Sequence, residues 1–389
     1  MRTTIPAIAL AILVGCGGPS RPTDPNDGID RTAILQHLST NVLLPMQTEF
    51  VARVTPLPDA IASYCDALDS SLDASPDAAR AAWRLAMDSW HRAEALLIGP
   101  AAMDNRTLGT QIYAWPLVAT CRIDRDTASR FVDPASYDIT TRLVNERSLA
   151  TVEYLLHRTD PAHTCTTTPA GWDSLGANLP RARCRLAEVI SRDVVMYATV
   201  LETAWRPDGG DYGGELARAG QSGSSIPTRQ EGINRISDSM FFVDRIVKDM
   251  KLGEAAGITL NACGSVGTPC LLEVEHVHAD HATFAIRANL RALREAFTGT
   301  TPTTDGPAFD DMLSMIGHAD VADRMTASLD AAIAAADELP ASFLDALAND
   351  YGKVKAAHIA ISVFTDDLKS QFLALLALDV PDDVASDND

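Results

Sequence analysis

Along most of the chain apolar residues return every three or four positions, the spacing that puts them on one side of an α-helix. Within 78–98, Trp83, Met87, Trp90 and Glu94 fall at i, i+4, i+7 and i+11, a single stripe whose last place is taken by a carboxylate. Gly99 and Pro100 then end that helix, because glycine frees the backbone and proline cannot continue the hydrogen-bond ladder. The same period runs through 186–205, 233–250, 283–297, 321–336 and 351–378. Alternating strand-like runs are scarce, so an all-α fold is expected. None of these helices is apolar all round, so each must bury its stripe against others, as in a four-helix bundle.

The pattern lapses between 206 and 230, where "PDGGDYGG" and "AGQSGSSIPT" concentrate Gly, Ser and Pro. We read this segment as an interdomain linker. The expected organisation is two tandem helical, four-helix-bundle-like domains at 31–205 and 231–379, followed by an acidic tail at 380–389. Before them, 17–30 includes "RPTDPNDGI", which is polar and aperiodic and reads as a flexible tether.

The opening "MRTTIPAIALAILVGCGG" has a basic Arg2 and an apolar run ending in Leu-Val-Gly before Cys16. The run is shorter than the roughly 20 residues a membrane-spanning helix needs. It resembles a bacterial lipoprotein signal over 1–16, with Cys16 as the lipidated residue and the lipid as the membrane contact. Gly17 in place of Asp after the cysteine favours the outer membrane, with the protein facing the periplasm or the cell surface.

That address changes the reading of the other six cysteines, Cys65, Cys121, Cys165, Cys184, Cys263 and Cys270: in an oxidising compartment they are expected to form disulfides. Cys263 with Cys270 and Cys165 with Cys184 would close the short loops, leaving Cys65 with Cys121. There is no CxxC pair of the kind used by zinc ribbons or thioredoxin-like redox sites. With a formal charge of −20 and no basic block, a nucleic-acid partner is excluded.

Several blocks together resemble the imelysin family of bacterial envelope proteins. They are "WRLAMDSWHRAEALLIGPA", "QIYAWPL…RID", "RSLATVEYLL" and "LETAWRPDGGDY", then "RISDSMFFVDRIVKDMKLG" and "IRANLRALREAFTG" in the second half. The resemblance implies two helical bundles, a periplasm-facing location, and a family named for a peptidase and linked to iron uptake. The family's Gly-x-His-x-x-Glu motif falls on Ser148, Ala150 and Glu153, so the carboxylate is kept and the histidine is lost. "RSLATVE" is closer to an Arg-Gly-Leu-Pro-Ala-Leu-Glu-like run of members that lack this histidine, in which Arg147 and Glu153 are the retained charges. Peptidase activity is placed in doubt by Ala150, which offers no donor atom to a metal.

Glu153 lies among Leu149, Val152, Leu155 and Leu156, where a helix should be buried. It reads either as a structural acid partnered by a cation such as Arg147 or as one ligand of a site completed from another helix. Glu94 poses the same question on its own stripe. Neither acid has the histidine three residues later that di-iron bundles use, since Leu97 and Leu156 stand there. "EVEHVHADH" is the one histidine cluster, with Glu275, His276, His278 and His281 as donors suited to a divalent or ferric ion. Read as a helix, Glu275, His278 and His281 step by three residues. The expected function is an imelysin-like envelope lipoprotein holding a metal or ligand between two bundles in an iron-uptake-linked role, beside an iron-transport system. The alternatives are a metallopeptidase and a non-catalytic scaffold.

Overall fold

The computed structural model describes residues 24–381 apart from Ser265. The leader with Cys16, the first part of the tether and the tail from residue 382 lie outside the described residues. Among the described residues there is no strand, as an all-α reading requires. None of their helices is long and apolar enough to cross a membrane.

The helices that build the bundles and the site include α1 (Leu44–Val54), α2 (Leu57–Ser70), α3 (Asp77–Glu94), α4 (Leu149–His157), α5 (Leu179–Trp205) and α6 (Arg229–Met240). A π-helix (Val243–Glu254) precedes α7 (Ala282–Thr298), α8 (Ala319–Asp337) and α9 (Tyr351–Asp367). They pack as two rings of four: α1, α3, α2 and α5 close one, and α7, α8, α9 and the π-helix close the other. α3 lies against α7 and joins the rings, and α4 covers α3 and α5. One contiguous core runs from Ile34 to Leu378 through both.

The α3 stripe shows how sequence drives this packing. Trp83 and Met87 are wholly buried and Trp90 nearly so, its ring 5.0 Å from Phe50 of α1. The Trp83 indole donates to the Leu149 carbonyl at 2.9 Å, tying α3 to the start of α4. Asp77 in the first turn and Arg92 in the last oppose the charges of the helix dipole.

Three local departures from the sequence reading have physical causes. The run 233–250 is not one α-helix: its second part widens into the π-helix, a form that is rare and concentrated at functional sites. The segment 206–230 contains the helix Tyr212–Ala217 and buries Leu216, Ala219 and Ile226 in the core. The disulfides are Cys65–Cys184, Cys121–Cys165 and Cys263–Cys270, so only the last of the expected pairs forms. Packing of α2 along α5 brings Cys65 to Cys184, and tertiary contact outweighs the short-loop preference that would have joined Cys165 to Cys184.

Candidate metal centre

α3 presents His91 and Glu94 one turn apart toward α7, with His91 Nδ1 2.6 Å from Glu94 Oε1. The π-helix brings Lys251 to the same carboxylate oxygen at 2.7 Å. Asn289 of α7 closes this corner: its Oδ1 accepts from Lys251 at 2.8 Å and its amide donates to the His91 carbonyl at 2.6 Å. Glu94 Oε1 is thus surrounded by donors and is read as ionised, which makes His91 Nδ1 the protonated nitrogen.

The second half of the centre comes from α4 and the residues before α7. Glu153 Oε1 accepts from the backbone N–H groups of His278 (3.1 Å) and Ala279 (3.2 Å), and Oε2 lies 2.7 Å from His276 Nδ1. These bonds hold 271–281 as a run of turns, with His276 and Asp280 at φ +55° and +50°. The segment is therefore not the helix that the three-residue stepping of Glu275, His278 and His281 assumed; α7 begins at Ala282. With both Nδ1 atoms directed at carboxylates, both Nε2 atoms are turned inward, 2.8 Å apart. An ionised Glu153 leaves two lone pairs facing each other at that distance, which a shared proton or metal ion would satisfy, whereas a neutral Glu153 lets His276 Nε2–H donate to His91.

Glu275 supplies a carboxylate beside this pair. Its Oε1 accepts from the Tyr113 hydroxyl at 2.8 Å, and Tyr113 Oη is 3.4 Å from His276 Nε2. Its Oε2 stands 3.1 Å from Lys251 Nζ but makes no hydrogen bond of normal geometry. One donor atom each from His91, Glu275 and His276 lies within 4.8 Å of the others, and all three residues are buried. Two imidazoles and a carboxylate, with a phenol beside them, form a mixture that suits zinc, iron or copper. Carboxylates on the far nitrogen of each imidazole are the usual supports of metal-bound histidine.

Electrostatics favour a cation. Glu94, Glu153 and Glu275 place three carboxylates in the interior against the Lys251 ammonium, leaving two negative charges when all are ionised. Burial pushes Glu153 up to about 7, only partly opposed by His278 and the backbone donors. Burial also works against ionisation of Glu94, but Lys251 and His91 outweigh it and hold Glu94 below the ordinary range. For Lys251 burial is likewise outweighed, by Glu275 and Glu94, which raise it. Burial drives His276 well below its ordinary value, so it is a neutral imidazole with a lone pair to donate.

Of the residues singled out from the sequence, Glu94, Glu153, Glu275 and His276 converge here. Arg147 does not: it pairs with Asp193 at 3.0 Å and lies over Tyr197, bracing α4 to α5 instead of neutralising Glu153. His278 contributes its backbone N–H to Glu153, while its ring packs against Tyr154. His281 Nε2 is held by Asp88 at 2.7 Å. Ala150 is buried one turn before Glu153, and the donor that faces Glu153 is His276. Sequence reading missed His91, Tyr113, Lys251 and Asn289. For His91 a signal existed in "HRAE", where the histidine stands three residues before Glu94 instead of after it.

The helical rings, with an acid–histidine cluster between them, define an imelysin-type fold. The imelysin family model, Peptidase_M75, matches residues 43–371, and the chain belongs to that family. Among solved structures, the chain is similar to a putative iron-regulated protein A precursor from Parabacteroides distasonis, with TM-score 0.68 and 17% identity over 92% of this chain and 97% of that one. It is also similar to an imelysin-like protein from Psychrobacter arcticus, with TM-score 0.59 and 16% identity over 90% and 96% of the two chains. At such identities the likeness speaks for the fold. No curated protein matches the chain.

Proposed function

We propose that this protein is a lipid-anchored envelope protein that binds a single metal ion, divalent or ferric, through His91, His276 and Glu275, in a role linked to iron uptake. The observation that carries the proposal is the pair of inward-facing Nε2 atoms 2.8 Å apart, each imidazole backed by its own carboxylate. The two negative charges the cluster carries when its three carboxylates are ionised support it, as does Glu275 Oε2, which has Lys251 as an ion-pair partner but no hydrogen bond of normal geometry. The link to iron draws on the similar protein described as iron-regulated, and the anchor on the lipobox-like sequence before Cys16. When bound, the ion would add positive charge beside the Lys251 ammonium; His91, His276 and Glu275 would hold it, and Glu94 and Glu153 would keep both imidazoles oriented.

Burial argues against the metallopeptidase reading. A hydrolytic metal needs an open position for water and substrate, whereas His91, Glu275 and His276 are 0%, 0% and 2% exposed. A peptide bond cannot reach these atoms in this conformation. Capture or sensing of an ion fits the enclosure better than turnover.

Metal analysis of the mature protein after chelation and reloading with iron, zinc or copper is the direct test. One equivalent per chain is expected, lost in His91→Ala and His276→Ala variants that keep their helical circular dichroism. Equal loading of folded wild type and variants would refute the assignment.

A further inference from the structure

His91 and Glu275 are fully buried and His276 nearly so, so an ion has to cross the cover of the centre to reach them. Stripping water from an ion is costly unless side chains replace it on the way. Asp88 and His281 stand where such a replacement is needed. Asp88 lies on α3 three residues before His91, and its side chain is 43% exposed. Its Oδ1 is 2.7 Å from Nε2 of His281, the buried residue that caps the start of α7. A carboxylate that reaches water is thus joined to an imidazole that does not.

That imidazole continues inward. The ring centroids of His281 and His276 are 6.1 Å apart, and both rings stand against Trp83, at 6.0 and 5.1 Å. One ion held by two imidazoles lies about 2 Å from each nitrogen, which sets the ring centroids about 6 Å apart. His276 is in turn 5.0 Å from His91. Asp88, His281, His276 and His91 therefore form a file of donors from the surface to the centre, with Trp83 along its side.

We propose, on the metal reading of the centre, that Asp88 and His281 form an outer cation-binding pair that takes the ion from water and passes it to His276 and His91. Carboxylate with imidazole is a donor set that zinc, iron and copper accept. The incoming ion replaces the hydrogen shared by Asp88 and His281, and the His281 ring then turns from Asp88 toward His276. Neither residue belongs to the final coordination, so each changes the rates of entry and exit by the same factor and leaves the affinity alone.

The test is rapid-mixing loading of chelator-treated mature protein with zinc, the zinc still outside being captured at timed intervals by a chromophoric chelator. Asp88→Asn should slow loading about tenfold, the lower end of what charge steering contributes. His281→Leu, which keeps bulk without a donor, should slow it at least as much. Both folded variants should still reach one equivalent at wild-type affinity, with release slowed in the same proportion as loading. Asp330→Asn, which removes one charge from α8, should load like the wild type. Unchanged rates would show that the ion enters elsewhere, and faster loading of His281→Leu would make the pair a plug. Slower loading with lowered affinity and unchanged release would place the residue among the final ligands. Each of these overturns the relay and leaves the centre standing, whereas a wild type that takes up no zinc, iron or copper would overturn the centre and the relay with it.

Discussion

His91 and Glu94 stand one helical turn apart on α3 and hold each other through Nδ1 and Oε1 at 2.6 Å. This bond aims His91 Nε2 at His276, so Glu94 acts on the centre through the imidazole. Glu94→Gln keeps an acceptor but loses the charge. Metal affinity should fall by about 10- to 100-fold, the usual effect of altering a carboxylate behind a ligating histidine, while stoichiometry stays at one. Competition against a chromophoric chelator measures both; unchanged affinity would show that the bond does not tune the site.

Lys251 supplies the ammonium that faces Glu94 and Glu275 inside the protein. Replacing it with methionine leaves those carboxylates without their cation, which costs about 3 to 5 kcal/mol in comparable buried pairs. Lys251→Met should therefore lower the Tm of the metal-free protein. Added metal should restore more Tm in the variant than in the wild type, because the ion takes over the missing charge. Equal metal-induced shifts would mean that Lys251 and the ion are not exchangeable.

The disulfides should differ in weight according to the loops they close. Cys65–Cys184 spans 119 residues and Cys263–Cys270 spans 7. In the chain-entropy account, removing the first costs about 5 kcal/mol and the second about 2.5 kcal/mol. Denaturant midpoints of the two double-alanine variants test this, and the long-range pair should show the larger loss.

Asp126 carries a pH dependence remote from the centre. Burial raises its carboxyl to about 6, ahead of the opposing effect of Arg142. The folded state then holds this proton more tightly than the unfolded chain, so stability is greatest below pH 4 for this group and is lost as pH rises to 6. A shift of this size corresponds to about 3 kcal/mol. Asp126→Asn should flatten the stability difference between pH 4 and pH 7 by that order in urea unfolding. An unchanged slope would place the effect elsewhere.

The helical core was legible because its pattern is local: Trp83, Met87, Trp90 and Glu94 are neighbours along one helix, and their spacing alone puts them on one side. The π-helix was not, since a widened turn leaves the apolar spacing close enough to an α-helix to read as one. At the site, Glu94, Glu153, Glu275 and His276 announced themselves as charged or titratable residues in an apolar stripe or a cluster. Nothing in the sequence sets Lys251 apart, and only the contact with a carboxylate 157 positions away shows its place. His278 was favoured by a helical register that the turns at 271–281 do not have. The six cysteines announced their disulfides and the local Cys263–Cys270 pair but not the other two pairings: Cys65 and Cys184 are distant in sequence and meet only when α2 lies along α5.

The central claim is that the inward-facing nitrogens of His91 and His276 share one metal ion. Titration of chelator-treated mature protein with iron, zinc and copper, followed by calorimetry beside the His91→Ala/His276→Ala double variant, tests it most directly. The account predicts one saturable equivalent in the wild type and none in a folded double variant. Saturation to the same stoichiometry in both, or no saturable binding to the wild type, would contradict it.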